Sequence, residues 1–120
     1  MIVTGLRHNP AMSYDEDLAN QVRAVIGRAK GLTEKRMFGG LAFLINGNMA
    51  VSASGQGGIL LRVDPAETDA LAEEPCARHF EMRGRAMPGW LRVDADELDD
   101  DGFRRWVSIG VAYANSLPPK

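Results

Sequence analysis

Apolar residues recur at helical spacing near both ends of the chain. Near the N-terminus, Ser13 and Glu16 form a capping box ahead of an apolar stripe, and Gly31 is a plausible helix stop. A second stripe runs from Phe103 to Leu117, where two prolines end it. This spacing predicts an amphipathic helix at each end. The first stripe consists of Leu18, Val22, Val25, Ile26 and Ala29.

The segment between these helices has the pattern of short strands separated by turns. Asp64 and Pro65 interrupt it with the N-cap and first residue of a short helix that runs to about Glu74. Such short turns cannot hold crossover connections, so the sheet is predicted to be antiparallel. The order α-β-β-β-β-α-β-β-α predicts an α+β fold of two layers, with helices packed on about five to six strands. The predicted strands are "EKRMF", "LAFLI", "MAVSAS", "ILLRV", "RHFEM" and "WLRV".

Asn46-Gly47 lies between two of these strands and is a strong hairpin signal. Two registers remain open. A two-residue turn pairs Phe43 with Ala50, whereas a three-residue loop over residues 46–48 pairs Phe43 with Val51. The choice matters because a slip of one residue reverses which side chains face the core.

Two glycine clusters, Gly39-Gly40 and residues 55–58, raise the question of a phosphate-binding loop. Such loops place glycines before a helix N-terminus, but strand-like sequence follows both clusters here. We therefore predict a sheet bend or bulge at the first cluster and a hairpin turn at the second. The strands "LAFLI" and "ILL" are apolar on both faces, which indicates that a helix or a second subunit covers the second face. A homodimer is our hypothesis.

Length and composition indicate a single globular domain over residues 13–120, preceded by a flexible tail over residues 1–12. Either Met1 or Met12 could be the natural start. The formal net charge is −2, so the overall field does not attract DNA phosphates and no direct DNA binding is expected. No stretch is long and apolar enough for a membrane span. Cys76 is the only cysteine and no leader peptide is evident, so a cytoplasmic location is expected.

Cys76 and His79 are the residues that could support nucleophilic or metal chemistry. A zinc site needs three or four protein ligands, and the only other histidine lies in the tail. The acidic run over residues 94–101 resembles half of a calcium loop, but Ser108 stands where a bidentate Glu belongs. We interpret the run as the N-cap and acidic first turn of the last helix. No metal, cofactor or catalytic residue is predicted.

Four arginines gather around the last two predicted strands. Arginine is enriched in protein interfaces, so these side chains are the candidate partner-binding residues. They are Arg78, Arg83, Arg85 and Arg92.

Several separated motifs resemble the N-terminal domain of the TfoX/Sxy family of bacterial proteins, over about residues 13–120. The motifs are "RMFGGLAFLINGNMAV", "LLRVD", "GRAMPGWLRVD" and "AYANSLPPK". The resemblance implies a secretion-chaperone-like domain with no established catalytic residues. Its signature positions are Met37, Phe38, Gly39, Gly40, Asn46, Gly47, Gly89 and Trp90.

The resemblance also implies a function. Full-length TfoX/Sxy proteins regulate natural competence together with the cyclic-AMP receptor protein, and they carry a second, helical domain. Because this chain ends at Lys120, we expect a stand-alone domain that acts as a non-enzymatic regulatory or protein-binding module, with a transcription regulator as a candidate partner. The alternatives are a small-molecule or peptide binder that uses a concave sheet face, and an enzyme that uses Cys76 and His79.

Overall fold

Six antiparallel strands form one sheet, and α-helices pack on it, as the α+β prediction required. The computed structural model describes residues 16–37, 40–54 and 58–120. The helices are α1 (Glu16–Ile26), α2 (Thr68–Ala72) and α3 (Asp100–Ser116). The strands are β1 (Leu32–Met37), β2 (Gly40–Ile45), β3 (Asn48–Ser54), β4 (Ile59–Arg62), β5 (Ala77–Met82) and β6 (Arg85–Val93). The strand order is β1-β2-β3-β4-β6-β5, which makes β1 and β5 the edges.

The ends of α1 and α3 follow from local chemistry. The side chain of Asp99 accepts a hydrogen bond from the backbone N–H of Gly102 at 2.7 Å, which confirms a cap within the acidic run, although Ala95–Glu97 of that run form a separate 3₁₀ turn. The predicted stop of α1 at Gly31 is wrong. The helix ends at Ile26, because Gly27 adopts a positive φ of 64° and ends the helix four residues earlier. The predicted N-cap Ser13 lies outside the described residues.

The short helix after β4 differs in form from the prediction. Asp64 does cap it, accepting the N–H of Ala66 at 2.9 Å, and Pro65 begins it. The first turn, however, is a 3₁₀ turn over Pro65–Glu67, and α2 follows for only five residues. The helix therefore ends two residues before the predicted end near Glu74.

One face of the sheet packs against the helices and holds the main core. Trp106 and Val107 of α3 and Val22 of α1 are buried there against strand residues such as Phe43. Helix α3 crosses β3 closely at Gly110, where an added Cβ would lie 2.5 Å from the carbonyl oxygen of a β3 residue. The glycine thus permits a helix-to-sheet approach that any side chain would prevent.

The β2–β3 hairpin combines the two registers that the sequence left open. Asn46 and Gly47 form a two-residue turn with φ values of 53° and 85°, and the residues that flank the turn pair directly. Strand β3 then holds one extra residue, Ala50, after which Phe43 pairs with Val51. Through the bulge, Phe43 and Val51 pair on the face that packs against the helices, whereas Leu44 and Met49 pair on the opposite face.

The β5–β6 connection is shorter than the segment between the predicted strands "RHFEM" and "WLRV". Arg83-Gly84 forms a tight turn with φ values of 54° and 77°, and β6 begins at Arg85 rather than at the predicted "WLRV". Strand β6 then bulges at Gly89, which has a φ of 87°. The N–H of Gly89 donates to the hydroxyl oxygen of Thr68 at 2.8 Å, and its carbonyl accepts the N–H of Val63 at 2.8 Å. Partners from other elements therefore hold the bulge.

Candidate interaction surface

The second face of the sheet carries an apolar cluster to which no described helix contributes a side chain. Ala42, Met49 and Leu60 are buried at its centre. Partly buried apolar side chains from β1, β2, β5 and β6 pack around them. These are Met37, Leu44, Phe80 and Trp90.

Basic side chains surround this cluster. Cross-strand partners point to the same face of a sheet. Lys35, Arg62 and Arg92 pair with cluster residues, namely Ala42, Trp90 and Leu60, and Arg78 pairs in turn with Arg92, so all four cations lie on the face of the cluster. The pairing of Met82 with Arg85 adds one more, two residues beyond Phe80. We call this surface the basic face. Its cations are Lys35, Arg62, Arg78, Arg85 and Arg92.

The acidic residues of the strands lie on the opposite face. Glu34 pairs with Phe43, which faces the helices, and Glu81 alternates with the cluster residue Phe80. Among the strand residues that the structure describes, the basic face therefore carries five cations and no carboxylate.

Several of these cations are held by defined contacts. The guanidinium of Arg62 lies 5.5 Å from the centre of the Trp90 ring and 5.9 Å from that of Tyr113, so it stacks between two aromatic groups. Arg78 donates to Asp94 at 2.9 Å, although its side chain remains 58% exposed. Arg92 donates to the hydroxyl of Ser54 at 3.4 Å, at the long end of hydrogen-bond geometry.

The predicted partner-binding arginines therefore divide into two groups. Arg78, Arg85 and Arg92 lie on the basic face, whereas Arg83 lies in the turn at the end of the β5–β6 hairpin. Met82, beside that turn, has 46% of its surface exposed. Sequence reasoning missed Lys35 and Arg62 as members of the same surface, as well as its apolar centre. Strand alternation was the signal that could have found them.

Cys76 and His79 have different neighbours. Cys76 packs against the main core, and the ring nitrogen Nε2 of His79 lies 3.4 Å from a carboxylate oxygen of Asp69 on α2. Within the described part of the chain, no hydrogen bond joins the two side chains. His79 Nδ1 is buried without a partner.

An acidic groove lies on the helix side of the molecule, between α1 and the start of α3. Its volume is about 390 Å³, and Asp17, Asp96, Asp99 and Asp100 line it together with apolar side chains that include Phe103. Asp99 already accepts a backbone hydrogen bond as the cap of α3. Among the described residues, no group of three or more metal-ligating side chains is arranged to hold an ion. The groove is also not the concave sheet face that the alternative prediction named.

The family-signature residues occupy structural positions. Met37 and Gly40 pair across β1 and β2, and a Cβ on Gly40 would overlap the carbonyl oxygen of Ala53. Gly89 forms the β6 bulge, and Trp90 belongs to the basic face. Phe38 and Gly39, together with residues 55–57 of the second glycine cluster, lie outside the described residues.

Two findings from comparison bear on identity. Over residues 24–114, the chain matches the family model of the TfoX N-terminal domain. No curated protein and no solved structure matches it significantly. No described helix has the length and apolarity that crossing a bilayer demands. Since the family model spans well over half of the sequence, the chain belongs to the TfoX N-terminal domain family.

Proposed function

We propose that this domain is a non-enzymatic regulatory module that binds another protein through its basic face. Family membership supports the regulatory role, because the resemblance to TfoX/Sxy proteins implies gene regulation through a protein partner. The separate environments of Cys76 and His79 support the absence of enzymatic activity. The single cysteine supports a cytoplasmic location, where thiols stay reduced.

The observation that carries the proposal is the combination of cations with half-buried aromatic side chains on the basic face, to which no described helix contributes a side chain of the apolar cluster. Protein interfaces commonly combine an apolar centre with a polar rim, and they are enriched in tryptophan, methionine and arginine. The basic face has this composition: Trp90 and Phe80 are partly buried, Met82 is exposed, and Arg78 and Arg85 lie beside them. On the opposite side of the sheet, the same strands are already covered by α1 and α3.

Affinity capture from a native lysate with two matched charge variants tests the proposal. Arg83→Glu with Arg85→Glu reverses two exposed charges at the end of the β5–β6 hairpin. Arg28→Glu with Arg104→Glu makes the same charge change at exposed positions away from the strands. We expect partners to be lost with the first variant and retained with the second. Recovery of the same partners with both variants would contradict the proposal.

A second copy of the chain is the alternative partner, favoured by the apolar character of the same face. Light scattering over a concentration series measures this directly. A monomer mass in dilute solution would exclude the homodimer and leave a different protein as the partner. A dimer that persists in Arg83→Glu with Arg85→Glu would place the contact elsewhere on the molecule.

A further inference from the structure

The charges of the molecule are divided between two sides. The chain has a net charge of −2, yet the described strand positions of the basic face hold five cations and no carboxylate. On the helix side, the acidic groove is lined by Asp17, Asp96, Asp99 and Asp100. Asp94 instead offsets the charge of Arg78, one of the five cations of the basic face. A partner that approaches the sheet therefore meets a positive potential that the net charge conceals.

Resting on the proposed function, we infer that the partner presents an acidic protein segment to the basic face, with apolar side chains between its carboxylates. Opposite charges orient such a partner and speed its association, and the exposed Met82 and half-buried Phe80 offer apolar surface that the partner can bury. The contact between Arg78 and Asp94, at 2.9 Å, already shows a carboxylate bound to this surface from within the chain.

The spacing of side chains along β5 indicates which residues the partner segment should carry, and how far apart. Arg78, Phe80 and Met82 alternate along one face, and Arg85 pairs with Met82. Two arginine positions therefore lie about 13 Å apart, with an aromatic side chain between them, at ~3.3 Å per strand residue. An extended segment with carboxylates four residues apart and an apolar residue midway would match both arginines and the ring.

The chemistry of the centre favours a protein over a nucleic acid. Single-stranded nucleic acids bind by stacking bases on open aromatic rings. Met82 is the most exposed large apolar side chain named on this face, at 46%, and the guanidinium of Arg62 already lies over the ring of Trp90. Aliphatic surface is better matched by apolar side chains of a protein.

Fluorescence anisotropy with three labelled probes tests the inference. The probes are a random copolymer of glutamate and tyrosine, polyglutamate of the same length, and a thymidine oligonucleotide. The copolymer should bind most tightly, and its affinity should fall as salt rises from ~50 to ~300 mM. Arg78→Gln with Arg85→Gln should lower that affinity about tenfold or more, whereas Arg28→Gln with Arg104→Gln should leave it unchanged.

Two further variants separate binding from folding. Arg85→Gln alone breaks no contact described above and should lower copolymer affinity by a smaller factor with an unchanged Tm. Phe80→Ser should remove the advantage of the copolymer over polyglutamate. If neither acidic polymer bound in a salt-sensitive way, or if the arginine variants bound as tightly as the wild type, the inference would be wrong. Tighter binding of the oligonucleotide would make the face a nucleic-acid surface and would also overturn it.

Failure of the acidic-segment inference can be distinguished from failure of the proposed function. If acidic polymers failed to bind while lysate partners still depended on Arg83 and Arg85, protein binding would stand and the acidic segment would be wrong. If the lysate partners were indifferent to both charge variants, the proposed function itself would fail.

Discussion

Gly110 offers a test of how closely α3 packs on the sheet. A Cβ at this position would lie 2.5 Å from the carbonyl oxygen of Ala50 and 3.0 Å from a terminal carbon of Leu61. The carbonyl belongs to the backbone, so it cannot move aside by changing a rotamer. Ala50 is the extra residue of β3, so Gly110 packs directly against the β3 bulge.

Two opposing effects decide whether Gly110→Ala raises or lowers the free energy of unfolding. Alanine favours the helix interior over glycine by ~0.8–1 kcal/mol. Overpacking a close-packed contact costs about 1–3 kcal/mol, and a backbone clash belongs at the upper end of that range. We therefore expect Gly110→Ala to lower the free energy of unfolding by roughly 1–2 kcal/mol. For a domain of 120 residues, each kcal/mol lost lowers Tm by about 4 °C.

Urea denaturation followed by circular dichroism measures this change, and Ser108→Ala provides the matched control. Ser108 is exposed in the same helix, so its replacement by alanine tests helix propensity without a new contact. The control should be neutral or gain a few tenths of a kcal/mol. If Gly110→Ala were as stable as Ser108→Ala or more so, the close approach of α3 to β3 would be refuted.

Two further predictions concern polar contacts. Thr68 is 2% exposed, and its hydroxyl oxygen accepts the N–H of Gly89. Thr68→Val would leave that buried donor unsatisfied, so we expect the free energy of unfolding, measured by urea denaturation, to fall by about 1–3 kcal/mol. Thr68→Ser should retain most of the stability, and equal losses in both variants would contradict this role. Hydrogen bonds from Arg23 lower the pKa of Glu34, so its ionised form contributes stability above the ordinary glutamate value of ~4.3, and that contribution disappears as pH falls through the lowered pKa. For an exposed ion pair this contribution is under about 1 kcal/mol. The difference in Tm between the wild type and Glu34→Gln should be constant from pH ~7 to ~5 and should disappear at lower pH. A difference that grew in acid would contradict the lowered pKa of Glu34.

Local signals predicted the features of the fold that depend on neighbouring residues. The Asn46-Gly47 turn and the cap of the last helix involve partners within a few positions; the turn occurs at the predicted residues, and the cap, Asp99, lies within the acidic run that was predicted to supply it. The end of α1 was misplaced because two glycines compete for it. Gly27 and Gly31 both adopt positive φ, and the helix ends at the first.

Long-range contacts explain what the sequence did not predict. Pro88 and Gly89 indicated a loop, since both residues weaken regular strands. In the structure they lie inside β6, because the hydroxyl of Thr68 satisfies the N–H of Gly89 from a position 21 residues earlier. No pattern within a short window carries that information. The family, in contrast, was predictable, because its motifs lie in separate segments and in the right order.

The basic face itself depends on the β6 bulge. Arg85 and Arg92 are seven positions apart along β6, an odd offset, so a regular strand would point them to opposite faces of the sheet. The register shift within the β5–β6 pair changes this: Arg92 pairs with Arg78, and Arg85 pairs with Met82, four residues along β5 on the same face. The arginines were grouped from the sequence by proximity, but they share a face because of the shift. Net charge could not show this surface, since it sums residues that the sheet places on opposite sides.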